Sequence, residues 1–383
     1  MVRKSDYYGM AGSSSIRSAN NYTRMKYLLA ILCSIIALSA LATPLEIERT
    51  LEHELSRYHS DSLPYDLARD VEWAAPEGFE LTMDIYTPKT GRNSYPVIVM
   101  FHGGGWLINS KSIMNEAAAY LATHGEYVVC NVNYRLLVDL GNTVRMNEIV
   151  EDAFGAVLWV KAHIDQYKGD PARVIVTGDS AGGHLASIIT LQGRQLSSKR
   201  FMGAPHGFQP SWLPAGKTAE EVAAEDGLAV QAAIISYGAF DLYGSAMAGF
   251  EEASNFFWVI GNAQPRGIFG EQINHEDHPE YYYKVSPKYN IPQAEQHALP
   301  PMLFTVGEKD DLTTPASIQE FMELLKAAGH NDLEYWEHQG RPHAFLDSGK
   351  NDFLQISFAK DAPPALDVML DFLDKLFYGK GQK

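Results

Sequence analysis

Two glycine-rich stretches carry the residues best suited to chemistry. Residues 178–183 read GDSAGG and contain G-x-S-x-G, in which glycines on either side let the backbone reverse sharply with Ser180 at the tip. If a strand ends just before the motif and a helix starts just after it, the Ser180 hydroxyl projects from the sheet near the positive end of the helix. That setting suits a nucleophile. Residues 102–106 read HGGGW. Three consecutive glycines expose backbone N–H groups, and donors of this kind aimed at one point stabilise the oxyanion of an acyl-transfer intermediate. A phosphate loop would need a following Lys-Ser/Thr and a helix close behind, which this spacing does not supply. His102, beside the glycines, is expected to orient the loop by hydrogen bonding rather than to act as a base.

Both stretches require strands that stop where they begin, and the chain provides them. Runs at 97–101 (VIVMF), 127–132, 174–177, 232–236 and 302–306 read as fully buried strands, 80–86 (ELTMDIY) alternates like a half-exposed strand, and 333–336 adds a further candidate. Amphipathic stretches at 113–123, 147–166, 181–195, 316–328 and 365–377 read as helices between them. This alternation predicts an α/β fold, a mostly parallel central sheet flanked by helices on both faces. HGGGW then follows the strand at 97–101, and GDSAGG joins the strand at 174–177 to the helix at 181–195. Two segments, 196–228 and 242–299, are long, aromatic-rich and without strand alternation. Insertions of that length in a compact domain are usually functional or mobile. No internal repeat is present.

The 383 residues are 46% hydrophobic and 20% charged, a balance that excludes disorder, collagen and a multispan membrane protein. The net charge of −16 opposes binding to a nucleic-acid backbone or anionic lipid. Residues 1–42 read as an N-terminal extension and a secretory signal peptide, with an uncleaved anchor as the alternative: Arg24 and Lys26 precede an apolar run at 27–41, short for a membrane span, and Ala40-Leu41-Ala42 offers a cleavage site. Met25 opens a compact signal by itself, so 1–24 reads as an upstream extension. Cleavage after Ala42 would leave 26 basic against 46 acidic residues, a net −20, in an exported catalytic domain over 43–383 with no stable membrane association. It would also leave Cys130 as the only cysteine. With no disulfide possible within the chain, stability rests on the core, and Cys130 in its apolar run reads as an inert buried thiol.

With HGGGW lying about 75 residues upstream of GDSAGG, the chain resembles the hormone-sensitive-lipase-like branch of the α/β-hydrolase fold, which contains bacterial carboxylesterases. The resemblance covers roughly residues 81–377. GDSAGGHLA, residues 178–186, is also similar to secreted esterases that act on acyl groups of plant polysaccharides. The resemblance implies the triad order Ser, acid, His. After the strand at 302–306 the loop Gly307-Glu308-Lys309-Asp310-Asp311-Leu312 offers three acids, and the family's Asp-x-Leu pattern points to Asp310, with Asp311 and Glu308 as alternatives. Arg341-Pro342-His343-Ala344-Phe345 resembles the family's His-Ala-Phe loop and points to His343 as the base, with His338 close by. The family's geometry makes Gly104, Gly105 and Ala181 the oxyanion donors and leaves Gly103 to make room for the turn.

What the resemblance implies is a serine carboxylesterase that hydrolyses small or short-chain esters through an acyl-enzyme, and acetyl or feruloyl groups on plant polysaccharide are candidate substrates. Neither metal nor cofactor is required. The run His275-Glu276-Asp277-His278 reads as a solvated loop. Segment 242–299 is the expected cap insertion, with most of its aromatics as the cap's own core, and residues 46–67 are the candidate N-terminal cap helices. Trp106 is the aromatic expected to meet substrate. A serine exopeptidase or amidase of the same fold, and a noncatalytic hydrolase-like binding protein, are the alternatives.

Overall fold

The computed structural model describes residues 63–199, 201 and 206–379; the expected signal peptide and its cleavage site lie outside them. Eight strands, β1 (Tyr65–Ala74), β2 (Leu81–Pro88), β3 (Tyr95–Phe101), β4 (Val128–Val132), β5 (Gly169–Asp179), β6 (Ala232–Ser236), β7 (Met302–Gly307) and β8 (Leu333–His338), form one sheet in the order β1-β2-β4-β3-β5-β6-β7-β8. β2 pairs antiparallel with β1 and with β4, and every pairing from β4 to β8 is parallel. The helices of five residues or more among the described residues are α1 (Asn115–His124), α2 (Met146–His163), α3 (Ala181–Gln192), α4 (Ala219–Ala224), α5 (Leu242–Met247), α6 (Phe256–Ile260), α7 (Pro279–Lys284), α8 (Pro315–Ala327) and α9 (Pro363–Tyr378).

Every residue of β3, β4, β6 and β7 is buried. Strand side chains alternate between faces, so complete burial requires cover on both. The cover comes from α1 packed with α9 and from α2 packed with α3. Because β3 has β4 on one side and β5 on the other, the strand order reverses at β3, and such a switch point leaves a crevice at the carboxyl ends of the strands. HGGGW and GDSAGG leave the sheet at that crevice.

Three expectations need correction. β2 is buried at all eight positions rather than half-exposed. Its polar members face partners instead of water: Lys111 Nζ, on a side chain 10% exposed, donates to Asp84 Oδ1 at 2.5 Å and to Asp70 Oδ1 at 2.6 Å, and the Asp70 amide also donates to Asp84. The second correction is at the end of the 46–67 segment, where Tyr65, Asp66 and Leu67 form the start of the edge strand β1. Residues 46–62 lie outside the described residues, and the compact unit begins at Pro64. Third, the insertions at 196–228 and 242–299 are not irregular throughout, since they contain α4 to α7, each of five or six residues. Cys130 is free and fully buried in β4, where burial pushes its thiol pKa up and keeps it protonated.

Asp84→Ala is expected to lower unfolding free energy by about 3 kcal/mol, because it strands the Lys111 ammonium in the interior. Chemical denaturation would measure it, and a loss near that of an exposed ion pair would show that Asp70 alone satisfies Lys111.

Candidate active site

β5 ends at Asp179, α3 starts at Ala181, and Ser180 makes the whole turn between them with φ +53° and ψ −116°. A non-glycine residue rarely occupies this region, and the strain is held by its neighbours. The Ser180 amide donates to the Ser236 carbonyl at 2.9 Å, and the Ser180 carbonyl accepts from His184 N at 3.0 Å. The hydroxyl is directed at the crevice, where His343 Nε2 lies 2.9 Å from Oγ.

His343 is held from its other nitrogen. Nδ1–H donates to Asp310 Oδ2 at 2.7 Å, which leaves Nε2 as an acceptor for the Ser180 proton. The Asp310 side chain has no exposed surface, and its charge is met by further donors: Leu312 N at 3.0 Å and Thr313 N at 2.9 Å on Oδ1, with Thr313 Oγ1 3.1 Å from Oδ2. Asp311 and Glu308 are exposed, and Glu308 accepts from Gly340 N instead. His338 lies against the Asp361 carbonyl at 2.8 Å, away from Ser180. Of the residues the sequence offered, the fold therefore brings together Ser180, His343 and Asp310.

HGGGW wraps over the same point. Gly103 must be glycine because a Cβ there would sit 2.4 Å from Asp179 Oδ2, and the Gly103 amide donates to Asp179 Oδ1 at 2.8 Å. Gly104 carries φ +122° and accepts at its carbonyl from the amides of Leu107 and Ile108. Among the described residues nothing accepts from the amides of Gly104, Gly105 or Ala181. His102 is buried and stacked on Tyr134, with centroids 4.4 Å apart, and its Nδ1–H donates to the Gly103 carbonyl at 2.8 Å. Burial pushes its pKa down to about 4, so it is a neutral strut for the loop.

Trp106 lies beside the glycines as expected, but the residue is only 4% exposed. Its Nε1–H donates to His184 Nδ1 at 3.2 Å, and the ring meets Phe250 edge-on at 5.7 Å. His184 in turn donates from Nε2 to the Val285 carbonyl at 2.7 Å, so one chain of contacts ties the glycine loop to α3 and to segment 242–299. The His275–His278 run is occupied locally, with His275 facing Glu251 at 3.4 Å and Asn274 Oδ1 accepting from the amides of Glu276 and Asp277. Three residues of the site were missed by sequence reasoning. Asp179 stands next to Ser180 inside the motif, and Thr313 stands three residues after Asp310, the spacing of an Asp-Thr turn. Tyr237, whose ring meets His343 at 4.7 Å, has no sequence signal beyond its place just after β6.

The arrangement resembles known proteins along much of its length. The BD-FAE family model matches residues 83–325, more than half of the chain. Carboxylesterase NlhH of Mycobacterium tuberculosis is 30% identical over 135 residues, 35% of this chain and 40% of that protein. Esterase LipQ of the same species is 26% identical over 273 residues, 70% of this chain and 55% of that protein. The chain thus spans between two fifths and just over half of these relatives. Thermogutta terrifontis esterase 2, solved with propionate bound, superposes with a TM-score of 0.57 at 22% identity, covering 84% of this chain and 98% of that one. The fold is that of the α/β-hydrolases.

The geometry predicts that a fluorophosphonate probe labels Ser180 alone. Asp310→Asn should slow labelling by about 10³-fold or more and Asp311→Asn by less than about threefold, since only the first leaves the imidazole without its orienting carboxylate. Mass spectrometry of the labelled peptide and the labelling rates would check both; the larger loss at Asp311 would place the acid one residue on.

Proposed function

The chain belongs to the BD-FAE family, and from that premise we propose that it is a carboxylic ester hydrolase working through a serine nucleophile and an acyl-enzyme. The observation that carries this reading is the hydrogen-bonded run Asp310–His343–Ser180 beside three amides that have no acceptor among the described residues. In the proposed cycle His343 Nε2 takes the Ser180 proton as Oγ attacks the ester carbonyl. The amides of Gly104, Gly105 and Ala181 hold the oxyanion, each donor of this kind being worth about 10² to 10³ in rate. His343 then returns the proton to the leaving alcohol, and the carbonyl re-forms as the acyl-enzyme. Water, losing a proton to His343, attacks the acyl carbon; the acyl C–Oγ bond then breaks as His343 gives that proton to Oγ, which releases the carboxylic acid and regenerates Ser180. Asp310 stays ionised, fixes the imidazole tautomer and stabilises the imidazolium.

For substrate, the reading is a small ester with a short acyl chain, acetyl or feruloyl groups on plant polysaccharide included. Its support is the crowding on the oxyanion side. The Phe257 ring lies so close to Gly105 that a Cβ there would be 2.7 Å from Cδ1, and Phe250 rests on Trp106. Trp106 serves substrate binding through that wall. Among the described residues no helix is long and apolar enough to cross a membrane. Export through residues 1–42 belongs to the same proposal, and the intact mass of the mature protein would test it.

On p-nitrophenyl esters kcat/KM should fall by roughly tenfold from butyryl to octanoyl and further to palmitoyl, as the chain outgrows a pocket walled by aromatic rings. Ser180→Ala should remove about 10⁴-fold or more of the activity. Matched amino-acid anilides should turn over poorly; preference for them would favour a peptidase, and no Ser180-dependent turnover of either would favour a binding protein. Best activity on palmitoyl ester with activation at an oil interface would overturn the short-chain assignment.

A further inference from the structure

The loops that carry Asp310 and His343 are locked together by their backbones. A Cβ on Gly307 would lie 2.4 Å from the Arg341 carbonyl oxygen, the Lys309 amide donates to that carbonyl at 2.9 Å, and the Glu308 amide donates to the His338 carbonyl at 3.0 Å. These contacts set where the His343 imidazole is attached and leave its rotation open, because the torsion that turns the ring is broad and roughly two-fold. One bond opposes that rotation, from Nδ1–H to Asp310 Oδ2 at 2.7 Å. Thr313, buried beside it, supplies a second hold.

Thr313 Oγ1 lies 2.9 Å from the Tyr237 carbonyl oxygen, 3.1 Å from Asp310 Oδ2 and 3.2 Å from His343 Nδ1. A threonine hydroxyl has one proton to give and two lone pairs to offer. The Tyr237 carbonyl and the Asp310 carboxylate can only accept, so the proton lies on their side and a lone pair faces Nδ1–H. That N–H is thus bracketed by two oxygens instead of one. Tyr237, which takes the hydroxyl at its carbonyl, also sets its ring against the imidazole, with centroids 4.7 Å apart.

We propose that Thr313 is a positioning residue whose hydroxyl fixes the rotation of the His343 imidazole and so keeps Nε2 within reach of Ser180 Oγ. This rests on the serine-esterase reading of the site. Thr313 touches no reacting atom; it holds the Nδ1 edge of the ring, while the 2.9 Å contact to Ser180 is made from Nε2. When Nε2 takes the proton the ring becomes cationic and Nδ1–H a stronger donor, so both acceptors tighten at the moment when orientation counts. The Thr313 amide, which donates to Asp310 Oδ1 at 2.9 Å, is retained by any side chain at this position, so substitution isolates the hydroxyl.

The test is the hydrolysis of acetyl p-nitrophenyl ester by the full chain carrying Thr313→Val, which keeps the shape without the hydroxyl, or Thr313→Ser, which keeps the hydroxyl without the methyl. Thr313→Val should lower kcat by about tenfold, the scale of one hydrogen bond, and leave KM within about twofold, whereas Thr313→Ser should hold kcat within about twofold of wild type. In the Asp310→Asn background the imidazole has already lost its carboxylate, so adding Thr313→Val should change the fluorophosphonate labelling rate by less than about threefold. A packing role would give the reverse order, with Thr313→Val active and Thr313→Ser impaired. Wild-type kcat in Thr313→Val, a loss in Thr313→Ser equal to that in Thr313→Val, or the full loss on adding Thr313→Val to Asp310→Asn overturns the proposal. Should Thr313→Val fail to fold, Thr313→Ala read against Thr313→Ser decides. Both lack the methyl, so a kcat at least about fivefold lower in Thr313→Ala supports the proposal and equal values overturn it. Absence of Ser180-dependent hydrolysis in the wild type would overturn the esterase reading itself.

Discussion

A Cβ on Gly182 would lie 2.0 Å from the carbonyl oxygen of Phe101, so α3 can begin against the end of β3 only with glycine at that position. Gly178 has the complementary need, since its Cβ would meet the Gly182 backbone at 2.3 Å. This backbone-to-backbone contact sets the distance between the two glycine-rich stretches. HGGGW leaves β3 one residue after Phe101, and Ser180 lies two residues before Gly182. The spacing between Ser180 and the HGGGW amides is thus fixed by main-chain packing, which thermal motion disturbs less than a contact between long side chains. The strained φ and ψ of Ser180, of a kind that costs about 1–3 kcal/mol, are carried by the same packing.

Burial also sorts the histidines by task. His102 and His184 are fully enclosed, and desolvation pushes both down to about 4, so each is neutral and serves as a strut between carbonyls and side chains. His343 differs in having a buried carboxylate on Nδ1 and a hydroxyl on Nε2, with its side chain 12% exposed at the crevice. A base that must gain and lose a proton needs an ion partner for its charged form. The two struts have none, which separates them from His343 more firmly than their position in the chain does.

The parallel core was legible because β3, β4, β6 and β7 are buried on both faces, and unbroken apolar runs are what such strands require. The elbow at Ser180 and the HGGGW turn were legible because both depend on backbone shapes that their flanking glycines permit. β2 was misread because Asp84 looks like a solvent-facing residue until Lys111, 27 positions away, is seen to neutralise it. A buried ion pair between distant residues leaves no local pattern. β1 went unread for a related reason: as an edge strand with bulges after Ala68 and Glu72, its sequence keeps no strict alternation. Asp310 was separated from Asp311 by a resemblance alone, and the physical discriminator, two amides and a hydroxyl converging on one carboxylate, exists only in the folded turn.

Segment 242–299 resisted reading for a different reason, the length of its helices. α5, α6 and α7 make fewer than two turns each, too short for an apolar face to repeat along the sequence. Their aromatics nevertheless divide cleanly. Trp258, Phe269 and Tyr282 are buried and satisfied within the segment, Trp258 by the Phe250 carbonyl and Tyr282 by Glu251, and these form its core. Phe257 and Phe250 instead face Gly105 and Trp106. Segment 242–299 is therefore anchored to the HGGGW loop by ring contacts that depend on Gly105 having no side chain. Any residue larger than glycine there would displace Phe257, so the seat of this ring beside Trp106 and Phe250 depends on a single backbone position.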